Sequence, residues 1–562
     1  MEYILHILVM VCIYGILAVS FNLLIGFAGL FAMAQAAFYA FGAYATAILT
    51  LKLGLPFPAD LLIGVAITAF IGALVAIPAI RISGTYLVVV TLALQVIVIA
   101  IATNWKSLTG GTDGLRGIPS LHIFGYALDN PGRFLPAAIV ALGICFWIAW
   151  RLANSPFGRA LRAMRENESA AEAVGKNLLY MKVAVFAFSA GLAAVAGSLF
   201  ARYLNYVGAE SFGIDETIYM LAMVILGGTG NLWGSLVGAA VLVILPELLK
   251  FVTLPTEIAD KSHLIIYGLL LIVILRLRPE GLLAERSTMR HLPHVDDTSR
   301  HSAEMTEPLP KGEVTLSGND LHKRFGGIVA VAGFNIVLKS GSITGLIGPN
   351  GAGKTTAFNL LTGFLSLDRG NIAFRGRNIT GLKSHDIVRA GVARSFQDLR
   401  LFTKMTALEN VMVALPNQAG DRVFDVFFRP MKIHREEQDN LVRARAVLDF
   451  VGLTHKAYET AENLSYAEEK LLVVGRLLAT GAEVFLFDEP LSGLDRTTLA
   501  EIFPIVRKLA DSGKTICIIE HNLDVIKELC DVVYFLDEGH AMATGTPDQL
   551  MNDPALATRY FK

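Results

Sequence analysis

The chain has 562 residues, of which 54% are apolar and only 17% are charged. This length exceeds one ordinary globular core, and the apolar excess is unusual for a soluble protein, so much of the chain is expected to lie in lipid. A formal net charge of −1 gives no electrostatic basis for nucleic-acid binding, and we exclude nucleic acid as a partner. The cysteines are scattered, without metal-ligand spacing, and are expected to be buried free thiols.

Apolar runs long enough to cross a bilayer recur from the N-terminus to residue 278 and then stop. They predict about nine membrane spans, at residues 3–25, 30–51, 60–80, 85–103, 132–151, 182–203, 216–228, 233–252 and 262–277. Lys and Arg accumulate after the fifth and ninth runs, so those ends should face the cytosol. The N-terminus would then face the opposite side. The first run lacks a basic start, and we interpret it as a span rather than a cleaved signal peptide.

The second half of the chain has a different pattern. Residues 286–311 are charged, carry Pro, Ser and Thr, and lack apolar periodicity, which predicts a solvated linker. Beyond it, short strand-like runs alternate with amphipathic helical patterns. The sequence therefore predicts a multi-domain protein: a polytopic α-helical membrane domain over residues 1–285, the linker, and a cytoplasmic α/β P-loop domain over residues 312–562.

A phosphate-binding loop is predicted early in the second domain. The strand-like segment 342–347 leads into GPNGAGKTT, which fits G-x-x-x-x-G-K-[ST] and opens a helix. Glycines let backbone N–H groups surround phosphates, the lysine reaches the terminal phosphates, and the first threonine can ligate Mg²⁺. The expected nucleotide-binding residues are Gly348, Pro349, Asn350, Gly351, Ala352, Gly353, Lys354, Thr355 and Thr356.

A second strand-like run, residues 484–487, ends in two carboxylates. Asp488 and Glu489 would lie at the sheet edge where α/β proteins bind ligands. Asp488 is suited to holding Mg²⁺, and Glu489 to acting as general base on an attacking water. A helix N-cap pair is the alternative, which the phosphate-binding loop in the same domain disfavours.

These motifs resemble the nucleotide-binding domain of ABC transporters, and the rest of residues 312–562 follows that family's order. The resemblance implies an ATP hydrolase that uses ATP and Mg²⁺. It also implies that Phe325 stacks on adenine, that Gln397 senses the γ-phosphate and the metal, and that His521 contacts the γ-phosphate. Asp495 follows Glu489 as the D-loop residue does.

One motif departs from the family pattern. Where the family usually has LSGGQ, this chain reads LSYAEEK. Ser465 keeps a hydroxyl at a helix start, but Ala467 replaces a glycine that must approach phosphate, and Glu468 adds negative charge. In the family this signature faces the partner domain's ATP. We therefore expect an asymmetric dimer, in which the Lys354–Glu489 site hydrolyses against an intact signature from another subunit.

The membrane half resembles the permease of branched-chain amino acid ABC importers over nearly all of residues 1–285. The segments that carry the likeness are NLLIGFAGLFAMAQAAFYAFGAYA, GTYLVVVTLA, LTGGTDGLRGIP, SPFGRALRAMRENESAAEAVG and ILGGTGNLWGSLVGAA. The resemblance implies a subunit of a bacterial inner-membrane importer for branched-chain or related amino acids or amides. It also implies a second permease subunit, a second ATPase subunit and an extracytoplasmic solute-binding protein.

The cytosolic segment 155–175 is basic, which membrane topology alone would explain. The resemblance implies in addition a coupling helix, with Arg162, Arg165 and Glu166 near Gln397. ATP binding would move the permease through this contact.

Few polar residues occur in the spans. Asn22, Gln35, Thr91 and Gln95 either line the solute path or hold helices together. The resembling family tends to carry Ser, Gly and His where this chain has Ala32, Ala34 and Gln35, which weakens the case for leucine-like specificity.

Two other functions fit parts of the sequence. An exporter half-transporter would have six long spans with long cytosolic extensions. A membrane-anchored nucleotide switch would bind ATP, hydrolyse it slowly and move no solute. The many short spans disfavour the first, and Glu489 with His521 disfavours the second.

Overall fold

The structure is a computed structural model. It describes residues 1–78, 84–123, 126–249, 268–269, 272–273, 276–278, 280–285, 310–494, 496–553 and 556. The chain forms two compact units. The first comprises Met1–Arg165 and Leu178–Thr288, and the second comprises Glu166–Asn177 and Met289–Lys562. The predicted linker lies almost entirely outside the described residues, so its bounds stay a prediction.

The described helices of the N-terminal half follow the apolar runs of the sequence. In chain order they are α1 (Glu2–Asn22), α2 (Gln35–Leu53), α3 (Ala59–Ala76), α4 (Thr85–Asn104), α5 (Lys106–Thr109), α6 (Pro131–Ala153), α7 (Pro156–Glu166), α8 (Glu168–Ala173), α9 (Leu178–Leu204), α10 (Ile214–Gly227) and α11 (Leu232–Leu249). A π-helical turn, Leu23–Phe27, extends α1. Helix α8 belongs to the second unit.

Within the described part of the chain, 6 helices are long and apolar enough to cross a membrane. They are extended α1, α2, α3, the Tyr86–Asn104 part of α4, α6 and α9. Helices α10 and α11 coincide with the next two predicted runs but are not among these 6 helices. The ninth predicted run, 262–277, lies largely outside the described residues, so the number of spans stays a prediction.

Small residues allow the helices of the first unit to pack closely. Helix α9 packs against α2 and α3, and α1 packs against α6 and α11. A Cβ added at Gly42 on α2 would lie 2.3 Å from Ala194 Cα on α9, and one added at Gly197 would lie 2.3 Å from the carbonyl oxygen of Tyr39. These two glycines therefore let the α2 and α9 backbones touch, as small residues do in membrane bundles.

The polar side chains of the predicted spans bond to other parts of the first unit. Asn22 Nδ2 donates to Ser235 Oγ at 2.7 Å, and Gln35 Nε2 donates to Ser20 Oγ at 2.7 Å. Thr91 Oγ1 accepts from the backbone N–H of residue 33 at 2.8 Å. Gln95 bonds the segment before α10, as described below. Each of the four thus helps to hold the unit together, which was one of the two alternatives.

Strands pair in both units. They are β1 (Leu115–Arg116), β2 (Leu121–Ile123), β3 (Tyr126–Leu128), β4 (Tyr206–Val207), β5 (Val314–Phe325), β6 (Ile328–Lys339), β7 (Ile343–Ile347), β8 (Arg369–Phe374), β9 (Arg377–Asn378), β10 (Val392–Arg394), β11 (Val484–Asp488), β12 (Thr515–Ile519), β13 (Val532–Asp537) and β14 (His540–Gly545). In the first unit, β1 pairs with β4 and β2 pairs with β3.

The second unit contains two sheets. A six-stranded sheet has the order β10-β11-β12-β7-β13-β14, in which all neighbours are parallel except β13 and β14. A four-stranded antiparallel sheet has the order β6-β5-β8-β9. Strands β7, β11 and β12 are buried along their whole length, which explains why they read as continuous apolar runs in the sequence.

The remaining helices surround these sheets. They are α12 (Lys354–Leu361), α13 (Ser384–Ala390), α14 (Ala407–Ala414), α15 (Val423–Phe428), α16 (Pro430–Phe450), α17 (Tyr466–Ala479), α18 (Arg496–Asp511), α19 (Leu523–Leu529) and α20 (Pro547–Met551). Side chains from both sheets and from α12 form one apolar core, which includes Phe334, Leu346, Phe358 and Leu486. This core packs the two sheets and α12 against one another, and the candidate site lies on the six-stranded sheet.

Candidate nucleotide site

Four neighbouring strands, β10, β11, β12 and β7, deliver polar residues to one edge of the parallel sheet. Strand β7 leads into the glycine-rich loop 348–353, and β10 leads to Gln397. Strand β11 ends at Asp488, and β12 leads to Glu520 and His521. Because the carboxyl ends of parallel strands meet at one edge, residues that lie far apart in the sequence converge there.

The glycine-rich loop turns tightly around the first residue of α12. Lys354 Nζ donates to the carbonyl oxygens of Gly348 and Pro349, at 2.8 and 2.9 Å. Gly353 has φ 98, and an added Cβ would lie 2.2 Å from the carbonyl oxygen of Ala330. A side chain there would be strained and would also clash. Burial lowers the pKa of Lys354, and the carboxylates of Glu489 and Asp488 oppose this shift.

Asp488 is almost fully buried, at 1% exposure, and only one of its carboxylate oxygens is bonded. Arg394 Nη2 donates to Asp488 Oδ2 at 3.3 Å, and the backbone N–H of Asp488 donates to Ser395 Oγ at 2.9 Å. Oδ1 has no hydrogen-bond partner among the described residues. Burial raises the pKa of Asp488, while Arg394 lowers it. A buried carboxylate oxygen without a partner, close to Lys354, fits a hard divalent cation such as Mg²⁺.

Glu489 bonds to two side chains, Gln397 and His521, which the sequence predicted to be catalytic together with Glu489. Its Oε1 lies 3.0 Å from His521 Nε2, and its Oε2 accepts from Gln397 Nε2 at 3.3 Å. The Glu489 side chain is 16% exposed and that of His521 is 44% exposed. The structure thus brings together Glu489, Gln397 and His521 at a position that water can reach.

The backbone of Glu489 has an unusual conformation. Its φ is 51, in the left-handed region that residues other than glycine rarely adopt. The Glu489 N–H donates to the carbonyl oxygen of Ile519 at 3.0 Å. Its own carbonyl oxygen accepts from Lys470 Nζ and from Ser492 Oγ, both at 3.0 Å. Such strain persists only where the surroundings impose it, and these bonds do so here.

Lys470 and Arg394 are site residues that sequence reasoning missed. Lys470 is 4% exposed, and its Nζ also lies 3.3 Å from Ser492 Oγ. Arg394 is 2% exposed and packs over the rings of Phe364 and Phe396. A buried charged side chain needs a partner. Knowledge that Lys470 and Arg394 are buried would therefore have identified them as candidates for the site. The sequence does not show which charged residues are buried, even within a recognised motif such as LSYAEEK, which contains Lys470.

The altered signature starts α17 with a reciprocal capping arrangement. Ser465 is the N-cap, and its Oγ accepts from the backbone N–H of Glu468 at 3.4 Å. In return, Glu468 Oε2 accepts from the Ser465 N–H at 2.8 Å and from Ser465 Oγ at 2.9 Å. The backbone N–H of Ser465 lowers the pKa of Glu468. The helix therefore places its own carboxylate at its positive end.

The remaining predicted site residues differ in exposure. The Phe325 ring is 47% exposed, with Lys323 Nζ 5.7 Å from its centroid. Asn350, Gly351 and Thr355 are exposed, Pro349, Gly353 and Thr356 are half-buried, and Ala352 is buried. Asp495 lies outside the described residues.

The predicted coupling residues fall in two different units. Arg162 and Arg165 belong to the first unit, where Arg165 Nη2 lies 2.8 Å from Glu285 Oε2. Glu166 belongs to the second unit, where its Oε2 accepts from the backbone N–H of Lys404 at 3.0 Å.

The short stretch 166–177 has further contacts within the second unit. Helix α8 packs against α13, and Lys176 Nζ lies 2.7 Å from Asp421 Oδ2. Division of the chain by apolar runs alone assigns this stretch to the membrane half, whereas its contacts assign it to the second unit.

Models of known protein families match both halves of the chain. Residues 3–275 match the model of the family "Branched-chain amino acid transport system / permease component", and residues 331–492 match that of the family "ABC transporter". The chain is 37% identical over 258 residues to the high-affinity branched-chain amino acid transport ATP-binding protein LivG of Escherichia coli, covering 46% of this chain and 99% of LivG.

Two further relatives cover the same half of the chain. The corresponding protein BraF of Pseudomonas aeruginosa is 35% identical over 247 residues, covering 44% of this chain and 97% of BraF. A solved nucleotide-free ATP-binding cassette from an ABC transporter is 31% identical, with a TM-score of 0.39, and covers 44% of this chain and 98% of that chain.

The fold and the site define an ABC transporter with an ATPase domain. More narrowly, the chain belongs to the branched-chain amino acid ABC transport family and combines a permease domain and an ATP-binding domain in one polypeptide.

Proposed function

We propose that this chain is a subunit of an ATP-driven importer for branched-chain or related amino acids or amides. It would reside in a bacterial inner membrane, with its ATPase domain in the cytoplasm. The observation that carries the proposal is Glu489, held by Gln397 and His521 beside the glycine-rich loop, in a chain whose first half matches an amino acid permease. The names of LivG and BraF point to the same solute class.

We assign ATP to the sheet edge described above. Backbone N–H groups of the loop 348–353 and the Lys354 ammonium would hold the phosphates, helped by the N-terminus of α12. The exposed ring of Phe325 would stack on the adenine. Thr355, Gln397 and Asp488 would hold Mg²⁺, which when bound neutralises phosphate charge.

Hydrolysis would depend on the Glu489 carboxylate. It would accept a proton from the attacking water, while Gln397 and His521 orient the carboxylate through the bonds to its two oxygens. Arg394 holds one oxygen of Asp488 and so leaves the other free. Lys470 fixes the strained backbone of Glu489 and thereby the direction of its side chain.

The altered signature supports a heteromeric complex. The Ser465 hydroxyl is bonded to Glu468, and this carboxylate would repel an anion approaching α17. Two copies of this chain would place that carboxylate at both composite ATP sites. We therefore propose a second ATPase subunit with an intact signature, together with a second permease subunit and an extracytoplasmic solute-binding protein.

We further propose that Arg162, Arg165 and Glu166 couple hydrolysis to transport. Glu166 supports this role, because its carboxylate bonds to the Lys404 backbone only seven residues beyond Gln397. Replacing Arg165 and Glu166 with Ala should leave ATP hydrolysis running while solute uptake stops.

The test is uptake of labelled solute by cells that express this chain with its partner subunits. The panel is leucine, other amino acids, urea and short amides, and wild type is compared with Glu489→Gln. Uptake in wild type that is lost in the variant supports an ATP-driven importer and names its solute. Accumulation that falls below that of control cells would indicate an exporter, and ATP binding without flux of any panel member would indicate a nucleotide switch.

A further inference from the structure

Glu216 is an acidic side chain inside the helix bundle of the first unit. It lies in the first turn of α10, which packs against α1, α2, α4 and α11. Carboxylates within a membrane bundle are expensive, and they usually serve a solute or ion path when no structural partner accounts for them. The groups around Glu216 therefore indicate whether it has a structural role or serves a solute path.

The structural partner of Glu216 is neutral. The Tyr14 hydroxyl on α1 forms a hydrogen bond with the Glu216 carboxylate, and the charged group that acts on it is the neighbouring Asp215, which is also acidic. Within the described residues no cation acts on Glu216. Asp60, in contrast, forms an ion pair with Arg202 in the same unit. In the described part of the unit, Glu216 thus lacks the ion-pair partner that Asp60 has.

On the neighbouring helices α2 and α4, two more polar atoms lack partners among the described residues. The Tyr39 hydroxyl is electrostatically coupled to Glu216, its residue is 0% exposed, and it has no hydrogen-bond partner among the described residues. Gln95 is also 0% exposed. Its Nε2 donates to the carbonyl oxygen of Phe212 at 2.6 Å, but Gln95 Oε1 has no partner in the described part of the chain.

Two aromatic rings pack against Tyr39. The Tyr39 and Phe212 ring centroids are 5.0 Å apart, and those of Tyr39 and Phe200 are 5.4 Å apart. Phe212 lies four residues before Glu216, so its ring and its carbonyl link Tyr39 and Gln95 to the start of α10. Aromatic faces attract cations and not anions.

We propose that Glu216, Tyr39 and Gln95 bind the ammonium group of an amino acid as it passes through the permease unit. The proposal deepens the proposed import function and rests on it. An ammonium group has three N–H donors, and this position offers a carboxylate, a phenol oxygen and an amide oxygen. It would also supply the positive charge that the described residues do not place beside Glu216.

The experiment measures initial rates of L-leucine and urea uptake by the whole complex in proteoliposomes, driven by ATP and supplied with the solute-binding protein. Glu216→Gln removes the charge and keeps the shape, Glu216→Asp keeps the charge, and Asp215→Asn removes the exposed neighbouring charge as a matched control. Rates are divided by the amount of assembled complex, so that a folding defect is counted separately.

We expect Glu216→Gln to lower leucine uptake about 10- to 100-fold, because a charge-assisted hydrogen bond is lost. Glu216→Asp should retain more activity than Gln, Asp215→Asn should match wild type, and Tyr39→Phe should lower uptake a few-fold. Equal uptake by Glu216→Gln and wild type would overturn the assignment, as would equal losses in the Gln and Asp variants.

The urea arm separates this proposal from the proposed function. If wild type imports urea and no amino acid, the ammonium site is wrong while ATP-driven import stands. If wild type imports neither solute nor any other panel member, the proposed function fails, and the ammonium site fails with it.

Discussion

Asp60 in the first unit and Glu489 in the second are both acidic residues, but their surroundings differ. Asp60 is 0% exposed and is paired with the buried Arg202, with Thr50 Oγ1 donating to it at 3.2 Å. Glu489 retains some exposure and bonds to Gln397 and to the half-exposed His521. The first carboxylate pairs with a buried cation, whereas the second bonds to two side chains that are exposed. We infer that the first stabilises the fold and the second performs chemistry.

The largest effect is expected at Glu489. Replacing it with Gln keeps the shape and removes the base, so ATP turnover of the assembled complex should fall by about 10²- to 10⁴-fold. ATP binding should remain, because Lys354 and the loop are unchanged. The matched control is Glu483→Gln, a carboxylate just before β11 that pairs with Arg375 at 2.7 Å. Similar losses in both variants would show that the defect lies in the strand and not in the base.

The Asp60–Arg202 ion pair should affect the stability of the fold and not catalysis. Replacing Arg202 with Ala leaves Asp60 buried without its cation, which should cost about 3–5 kcal/mol of folding free energy. The check is thermal unfolding of the purified protein. Arg133→Ala is the control, because Arg133 pairs with Asp129 at the surface, where both side chains are more than half exposed, and we expect little change there. Unfolding of Arg202→Ala at the wild-type temperature would contradict a structural role.

A smaller catalytic effect is expected at Lys470, whose ammonium group bonds to the Glu489 carbonyl oxygen and to Ser492 Oγ. Lys470→Met should lower kcat for ATP about tenfold, because bonds from a charged donor are lost, while KM for ATP stays unchanged. Lys470→Arg should restore part of the rate. The same substitution at the exposed Lys527 is the control, since Lys527 pairs with the exposed Asp548. A rise in KM with unchanged kcat would contradict the positioning role.

The smallest effect is expected at the altered signature. If this chain works beside a subunit with an intact signature, Ala467→Gly should leave ATPase activity of the assembled complex nearly unchanged, because the weaker composite site contributes little. Glu468→Gln should behave likewise, as it keeps the capping bond to Ser465 and removes only the charge. A several-fold gain in ATPase activity from either change would show that both sites turn over and would contradict the asymmetric arrangement.

Much of the nucleotide site could be predicted because its motifs are local. The glycine-rich loop needs a strand before it and a helix after it, and β7 and α12 supply them. The carboxylates Asp488 and Glu489 were placed by the apolar run before them, which the structure has as β11. Arg394 and Lys470 were missed because nothing in their neighbourhood along the chain marks them as buried.

In the membrane half, the sequence predicted the helices better than their contacts. Apolar runs give span positions because bilayer thickness fixes their length, and α1 to α4, α6 and α9 follow them. The role of Glu216 could not be read from its position in the sequence. Its neighbours Tyr14 and Tyr39 come from other helices, and helix packing brings them together.

By itself, the sequence determined the class of protein, the two kinds of domain and the residue types that carry the chemistry, since hydrophobic periodicity and loop motifs act over short stretches of chain. Only the tertiary structure decided which side chains meet. Gln397 reaches Glu489 across 92 positions because β10 and β11 are neighbours, and Glu489 reaches His521 because β12 lies next to β11. Strand order and helix packing depend on the folded core as a whole, and no local pattern specifies them.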